Sequence, residues 1–467
     1  MSDARGPGPG GADHERPARV TAVLDKMRAA GAHPTELAAM ERRLQQLDDP
    51  DAGRLPGDVL EPLPDLPRLD ELPEPDAEHA RAVLDRLVVV KLNGGLGTSM
   101  GLSGPKSLLV VKDGKSFLDV VATQVLGLRE RYGARLPLLL MNSASTRDPS
   151  LSALRRHDGL RDQGTPLDFL QGREPKLRAD DLTPVEYPDD PDLEWCPPGH
   201  GDLYTSLAAS GTLDALLDAG LRWAFVSNSD NLGALADVRL AAWVVDEEVP
   251  FGLEAVRGTA ADRKGGHLAL RDGQVVLRET AQVPDGDDSF GEVDRWRYYN
   301  TNNLWVDLQA LKDLQAADPA APELPLIVNR QTVNPRDKSS TPVIQLETAM
   351  GAAVGSIPGA RAVEVPRSRF APVKTTNDLL VVRSDAYALD AGRMVPRFDP
   401  PGPVVTLDDV YKMVPDFEER FPAGAPSLRR CTRLTVEGDV TFGADVVVEG
   451  DVTVKGPRHV DDGEVLR

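Results

Sequence analysis

The sequence predicts an α/β protein built on a largely parallel sheet and closed by a short parallel β-helix. Three observations carry this. Short buried strands alternate with helices along the middle of the chain, each strand runs into a polar or glycine-rich loop, and an apolar six-residue period ends the sequence. A chain of 467 residues fits roughly three average domains, or one large α/β domain with attachments, and can bury a sizeable core without staples.

The first sixteen residues are glycine, proline and charge, and read as disordered. From about Ala18 to Leu47 the apolar positions Val23, Leu24, Met27, Leu37, Met40, Leu44 and Leu47 keep helical spacing, and His33-Pro34-Thr35 splits them into two short helices. Residues 48–76 are crowded with Pro and Asp and read as an extended connector that can lie along a globular body. The whole arm reads as carrying no chemistry. After His79 the texture changes. Leu87 to Leu92 is a buried strand, Phe117 to Glu130 a helix, Leu136 to Met141 a second strand ending in Asn142-Ser143. Leu203 to Leu217 reads as a helix, followed by the strand Trp223 to Val226 and the loop Ser227-Asn228-Ser229-Asp230-Asn231. Such alternation gives a largely parallel sheet with helices on both faces, and its ligand sits outside the carboxyl ends of the strands. In the last segment Val436, Phe442, Val448 and Val454 recur every six residues, as do Val440, Val446 and Val452. A β-hairpin also fits alternation by two. The two registers, with Gly438, Gly450 and Gly456 in one phase, favour the β-helix.

Composition excludes several functions. With 53 Lys+Arg against 74 Asp+Glu the net charge is −21, wrong for a protein that tracks a nucleic-acid backbone, though a local polyphosphate site stays open. Two cysteines, Cys196 and Cys431, are too few for a disulfide framework or a four-thiolate metal site and fit a reducing cytoplasm. The amino terminus lacks a signal-peptide core, and no apolar run approaches a membrane span, so the expectation is a soluble intracellular protein.

The strongest chemical signal is Lys91 to Ser107, with glycines at 94, 95, 97, 101 and 104 directly after a strand. Glycine lets main-chain N–H groups approach a phosphate closely, and Lys106 adds a mobile point charge. Two familiar phosphate loops do not fit. Gly95-Leu96-Gly97 leads to Met100 where a dinucleotide loop needs a third glycine, which excludes a dehydrogenase; Pro105 parts Gly104 from Lys106 where a Walker loop needs Gly-Lys.

This loop resembles the signature of the eukaryotic-type UTP–glucose-1-phosphate uridylyltransferases (UDP-glucose pyrophosphorylases). The likeness continues, in family order, through Pro197 to Asp202, Ser227 to Gly233, Tyr299 to Trp305, Val343 to Ala352 and Arg369 to Thr376. The resemblance implies a Rossmann-like, GT-A-like nucleotidyltransferase with a mixed sheet and a left-handed β-helix. The chain reads as three parts: an arm and connector at 1–78, a catalytic domain at 79–400 and the β-helix domain at 401–467.

The implied reaction is attack of a glucose 1-phosphate oxygen on the α-phosphorus of UTP, giving UDP-glucose and pyrophosphate. Positioning and charge neutralisation suffice for that, so no general base is needed. By the same resemblance Lys106 and Lys374 are catalytic. Leu92, Asn93, Gly94, Gly95, Lys106, Gln171, Gly199 and Asp230 bind the nucleotide, Gln171 through the uracil edge. Gly94, Gly95, His200, Asn228, Asn302 and Glu347 meet the sugar phosphate, and Asp230 holds one Mg²⁺. The sequence departs from the family at Leu102-Ser103, where some relatives have Cys-Lys, and at Lys176, where arginine is usual. The same chemistry on N-acetylglucosamine 1-phosphate, or on a range of sugars, is the nearest alternative. A non-catalytic relic would have lost Lys106, Asp230 or Lys374, and all three are present. Family members either associate through the β-helix or stay monomeric, so a homo-oligomer and a monomer both remain open.

Overall fold

The computed structural model describes residues 12–49, 53–161, 164–259, 262–390, 392–398 and 402–467. Two compact units emerge: Met1–Leu66 with Phe169–Arg222 and Glu248–Val363, and Pro67–Asp168 with Trp223–Glu247 and Glu364–Arg467.

In the first unit two helices form the arm, α1 (Ala12–Ala29) and α2 (Pro34–Leu47). Residues 1–11 of the segment expected to be disordered lie outside the described residues. That expectation fails from Ala12 to Arg16, where the glycine-proline run has ended and α1 has begun. The break falls where proline predicted it: His33 caps α2 through a capping box with Glu36, and Pro34 occupies the first turn. Val23, Leu24, Met27, Met40 and Leu44 are buried against Leu177, Leu326, Ile344 and Leu346. Each such side chain contributes about 1.5–3 kcal/mol when fully buried, enough to fix the arm in place. Within the connector, Glu61 pairs with Leu270, and Leu55 and Leu60 are buried with Ala269 and Trp296. The strands of this unit are antiparallel: Phe251–Arg257 with Tyr298–Asp307, His267–Arg271 with Gln274–Arg278, and Leu326–Thr332 with Pro342–Thr348. The helix expected over Leu203 to Leu217 is two helices, Leu203–Ala209 and Thr212–Asp218, because Gly211 takes a left-handed φ of 71° between them.

In the second unit β1 (Leu87–Asn93) lies between Leu138–Asn142 and Trp223–Asn228, parallel to both. All three are mostly apolar and buried along nearly their whole length, as strands covered on both faces are, and polar residues enter only at Lys91 and at their carboxyl ends. Helix Phe117–Tyr132 begins in a Ser116–Asp119 capping box and ends at left-handed Gly133. At the carboxyl end Val404–Leu407, Ser427–Glu437, Val447–Lys455 and Val465–Leu466 form one parallel sheet, and Val440–Phe442 pairs in parallel with Arg458–Val460. Leu434 opposes Val452, Val440 opposes Arg458 and Val447 opposes Val465, so each pair is eighteen residues apart, three of the six-residue periods. A hairpin pairs antiparallel and is excluded. The fold is mixed α/β. Among the described residues no helix is long and apolar enough to cross a membrane.

Candidate functional site

In the second unit, β1 delivers the glycine loop at its carboxyl end. The loop folds on itself: the Lys106 N–H donates to the Gly95 carbonyl at 3.2 Å, and Leu96 pairs with Pro105. Gly95 is exposed, and a Cβ there would meet no atom within 4 Å, so its face is open for a ligand to approach. Leu92 opposes Asn228 in the parallel register, and the Ser229 N–H donates to the Leu92 carbonyl at 3.2 Å. The two strand ends therefore present the glycine loop and Asp230 side by side. Lys106 Nζ stands 2.6 Å from Asp230 Oδ2, both side chains about four-fifths buried. Asn93 is buried at the end of β1 opposite Asn142, and its side-chain nitrogen donates to Asn142 and Ser150.

Lys374 reaches the same region through its neighbours. The Val373 N–H donates to the Asp230 carbonyl at 3.3 Å, while the Ala371 N–H donates to Asn231 Oδ1 and Asn231 donates to the Arg369 carbonyl. Lys374 itself is exposed, and its ammonium forms no ion pair among the described residues. The structure thus brings together Leu92, Asn93, Gly94, Gly95, Lys106, Asn228, Asp230 and Lys374. Among the described residues no group of three or more His, Cys, Asp or Glu is arranged to hold a metal. The donor set still suits Mg²⁺, which takes one or two carboxylates and completes its shell with water and substrate phosphate.

In the first unit, Gly199, His200 and Glu347 form one cluster. Gly199 has a φ of 81°, and the Thr348 N–H donates to the Pro198 carbonyl at 3.0 Å, which seats the loop on the end of strand Pro342–Thr348. The Met350 N–H donates to His200 Nδ1 at 3.0 Å, so the neutral ring carries its proton on Nε2. Crowding by surrounding atoms lowers the imidazole pKa to about 4, although the residue keeps one side open to solvent; at pH 7 it is neutral. Glu347 is half-buried, and its carboxylate makes no hydrogen bond among the described residues.

Asn302 sits at a bulge where Tyr298–Asp307 slips against Phe251–Arg257, with a φ of 57° that asparagine tolerates better than most residues. The buried Glu254 braces this bulge, accepting from Asn303 Nδ2 and Trp305 Nε1, each at 3.0 Å. Gln171 is half-buried and its amide makes no hydrogen bond among the described residues, while the next residue, Gly172, donates its N–H to Asp202 Oδ2 at 2.6 Å. Lys176, the family departure, is buried, donates to the Val333 carbonyl at 2.9 Å, and has its pKa lowered by that burial.

Sequence reasoning missed Glu254, Asp202 and Asn231 as supports. Asp202 and Asn231 lie inside motifs that were visible; Glu254 lies in a strand that no motif marks.

The family model described as UTP–glucose-1-phosphate uridylyltransferase matches residues 41–449. The UTP–glucose-1-phosphate uridylyltransferase of Hordeum vulgare is 40% identical over 403 residues, covering 84% of this chain and 83% of its own. That of Saccharomyces cerevisiae is 42% identical over 378 residues, covering 79% and 74%. A variant of the UDP-glucose pyrophosphorylase from Leishmania major, solved in complex with UDP-glucose, is 40% identical with a TM-score of 0.88, covering 96% of this chain and 98% of that one. A UDP-glucose phosphorylase from Trypanosoma brucei is 42% identical with a TM-score of 0.86, covering 96% and 98%. The chain therefore belongs to the UTP–glucose-1-phosphate uridylyltransferase family.

Proposed function

We propose that this protein makes UDP-glucose and pyrophosphate from UTP and glucose 1-phosphate. The observation that carries the proposal is family membership over residues 41–449, joined to a solved relative that holds UDP-glucose and matches 96% of this chain. Nothing favours another sugar. In the proposed step a phosphate oxygen of glucose 1-phosphate forms a bond to the α-phosphorus of UTP. The bond from that phosphorus to pyrophosphate breaks, and its electron pair leaves on the pyrophosphate oxygen. The nucleophile is already ionised, so the protein must bring two anions together and neutralise their charge.

Lys106, over the loop made by Leu92, Asn93, Gly94 and Gly95, takes the triphosphate; Lys374, exposed and unpaired among the described residues, takes the charge that shifts to the leaving group. Mg²⁺ held by Asp230 together with phosphate oxygens would neutralise the triphosphate further. Gln171 pairs with the uracil edge and Gly199 lies along the nucleotide. His200 donates from Nε2 to the sugar phosphate, Asn228 is a second contact of that phosphate, and Asn302 with Glu347 holds sugar hydroxyls. All these residues fall between 79 and 400, the proposed catalytic domain. The eighteen-residue parallel register supports a short left-handed β-helix in the domain from 401 to 467, and the arm and connector occupy 1–78. Association through that β-helix is the proposed route to a homo-oligomer, and light scattering measures it. Two buried free cysteines support a cytoplasmic location. The test of the function is incubation with UTP, Mg²⁺ and glucose 1-phosphate, following UDP-glucose and pyrophosphate; a wild-type chain that forms neither would overturn it.

A further inference from the structure

We infer that Arg43, in the amino-terminal arm, is a positioning residue for the loop that presents Gln171. The inference rests on the reading of Gln171 as the uracil contact and deepens it. On α2 the residues Ala39, Met40, Arg43 and Leu44 face inward, so a charged side chain shares a face with the arm's apolar anchors. Arg43 is 6% exposed, and its Nη1 pairs with Glu174 Oε1; Glu174 is 3% exposed. The other carboxylate oxygen of Glu174 is buried with no hydrogen-bond partner among the described residues, so Arg43 supplies what compensates this charge.

Glu174 stands three positions after Gln171, and each residue between them is also held. The Gly172 N–H donates to Asp202 Oδ2 at 2.6 Å and to Ser206 Oγ at 3.0 Å. The Arg173 guanidinium lies over the Trp195 ring at 4.6 Å. Glu36, one face-repeat before Arg43 on α2, abuts Gly172: a Cβ there would lie 3.0 Å from Glu36 Oε1. Arg43 also feels Asp202, two residues past His200, whose charge counters the lowering of its pKa by burial. One arginine from the arm therefore pairs with Glu174 and lies within the field of Asp202, the acid that holds Gly172.

Stability alone does not account for such a pair. Apolar residues of similar volume often replace a buried ion pair at no loss, whereas removing one partner strands the other's charge. What the pair adds is direction, and the segment it directs is the one whose next residue inward is Gln171.

The test compares wild type with Arg43→Met/Glu174→Met, which keeps volume and strands no charge. Two readouts are taken: hydrogen exchange of the 169–175 segment, and steady-state kinetics with UTP and CTP. In the double variant the segment is expected to exchange about tenfold faster, the UTP KM to rise about tenfold and the UTP-over-CTP preference to fall, with kcat held within about threefold. Wild-type exchange, KM and preference in the folded double variant would overturn the inference. Should the double variant not fold, Arg43→Lys carries the same readouts with a smaller shift, about threefold, since a flexible ammonium replaces a rigid fork; no shift there overturns it equally. If wild type makes no UDP-glucose, the uracil reading falls, and the exchange measurement still decides whether Arg43 holds the loop.

Discussion

Replacing Gly199 by alanine separates backbone geometry from chemistry. At a φ of 81° an alanine enters the left-handed region, which costs about 1–2 kcal/mol. Its Cβ would stand 2.6 Å from the Thr348 carbonyl oxygen, 2.9 Å from the Thr348 nitrogen and 3.0 Å from the Glu347 Cβ. Two of those atoms are main chain in a strand and cannot rotate away, so the loop or the strand end must shift, at about 1–3 kcal/mol more. The expected loss is therefore about 2–5 kcal/mol, read as a lowered thermal midpoint or denaturant midpoint. Because His200 and Glu347 flank the contact, a displacement near 1 Å should also cut kcat/KM for glucose 1-phosphate by about a hundredfold. Gly95→Ala is the matched control: its φ is not left-handed, and the new Cβ would meet nothing within 4 Å. Its stability should change by less than about 0.5 kcal/mol while the UTP KM rises about tenfold, since the methyl group occupies the face offered to phosphate. A Gly199→Ala protein as stable and active as wild type, or a Gly95→Ala protein with an unchanged UTP KM, would refute this reasoning.

Lys374→Ala should lower kcat by about two to four orders of magnitude with uracil discrimination kept; a variant with wild-type kcat that lost only UTP affinity would make Lys374 a ground-state binder. Gln171→Ala should relax the preference for UTP over CTP by about 1–3 kcal/mol, and an unchanged ratio would remove it from the base pocket. Acid stability should depend on His267, which is fully buried, stacked on Trp296 at 4.6 Å, and without a partner on either ring nitrogen among the described residues. Burial, with Arg278 and Arg295 nearby, pushes its pKa down to about 3. The unfolded chain takes up the proton near pH 6.5 and the folded chain does not, so stability falls as pH drops below that value, by about 2 kcal/mol between pH 7 and 5. His267→Phe should flatten that part of the pH–stability curve, and an unaltered slope would assign the acid sensitivity elsewhere.

The strands Leu87–Asn93, Leu138–Asn142 and Trp223–Asn228 were legible because both faces are buried, which writes short apolar runs that end abruptly in polar or glycine-rich loops. The six-residue period was legible because the apolar positions recur at fixed spacing, and from Arg433 to Glu437 the parallel pairing holds an eighteen-residue offset. Tyr298–Asp307 was seen only as a motif, because Asn300, Asn302 and Asn303 interrupt its apolar text, and what makes it a strand is the buried Glu254 opposite. The split of Leu203 to Leu217 hung on the single left-handed turn at Gly211. Arg43 left no trace in the sequence, since an arginine among helical apolar positions is more often solvated; only the fold reveals that Glu174 waits across from it.

In the proposed reaction a sugar-phosphate oxygen displaces pyrophosphate from the α-phosphorus of UTP. The most direct measurement supplies glucose 1-phosphate carrying ¹⁸O on its three non-bridging phosphate oxygens, with UTP and Mg²⁺, and weighs both products by mass spectrometry. The expected products are UDP-glucose that keeps every labelled oxygen and pyrophosphate that carries none, with turnover abolished by excess chelator. Label in the released pyrophosphate, or unlabelled UDP-glucose, would contradict it.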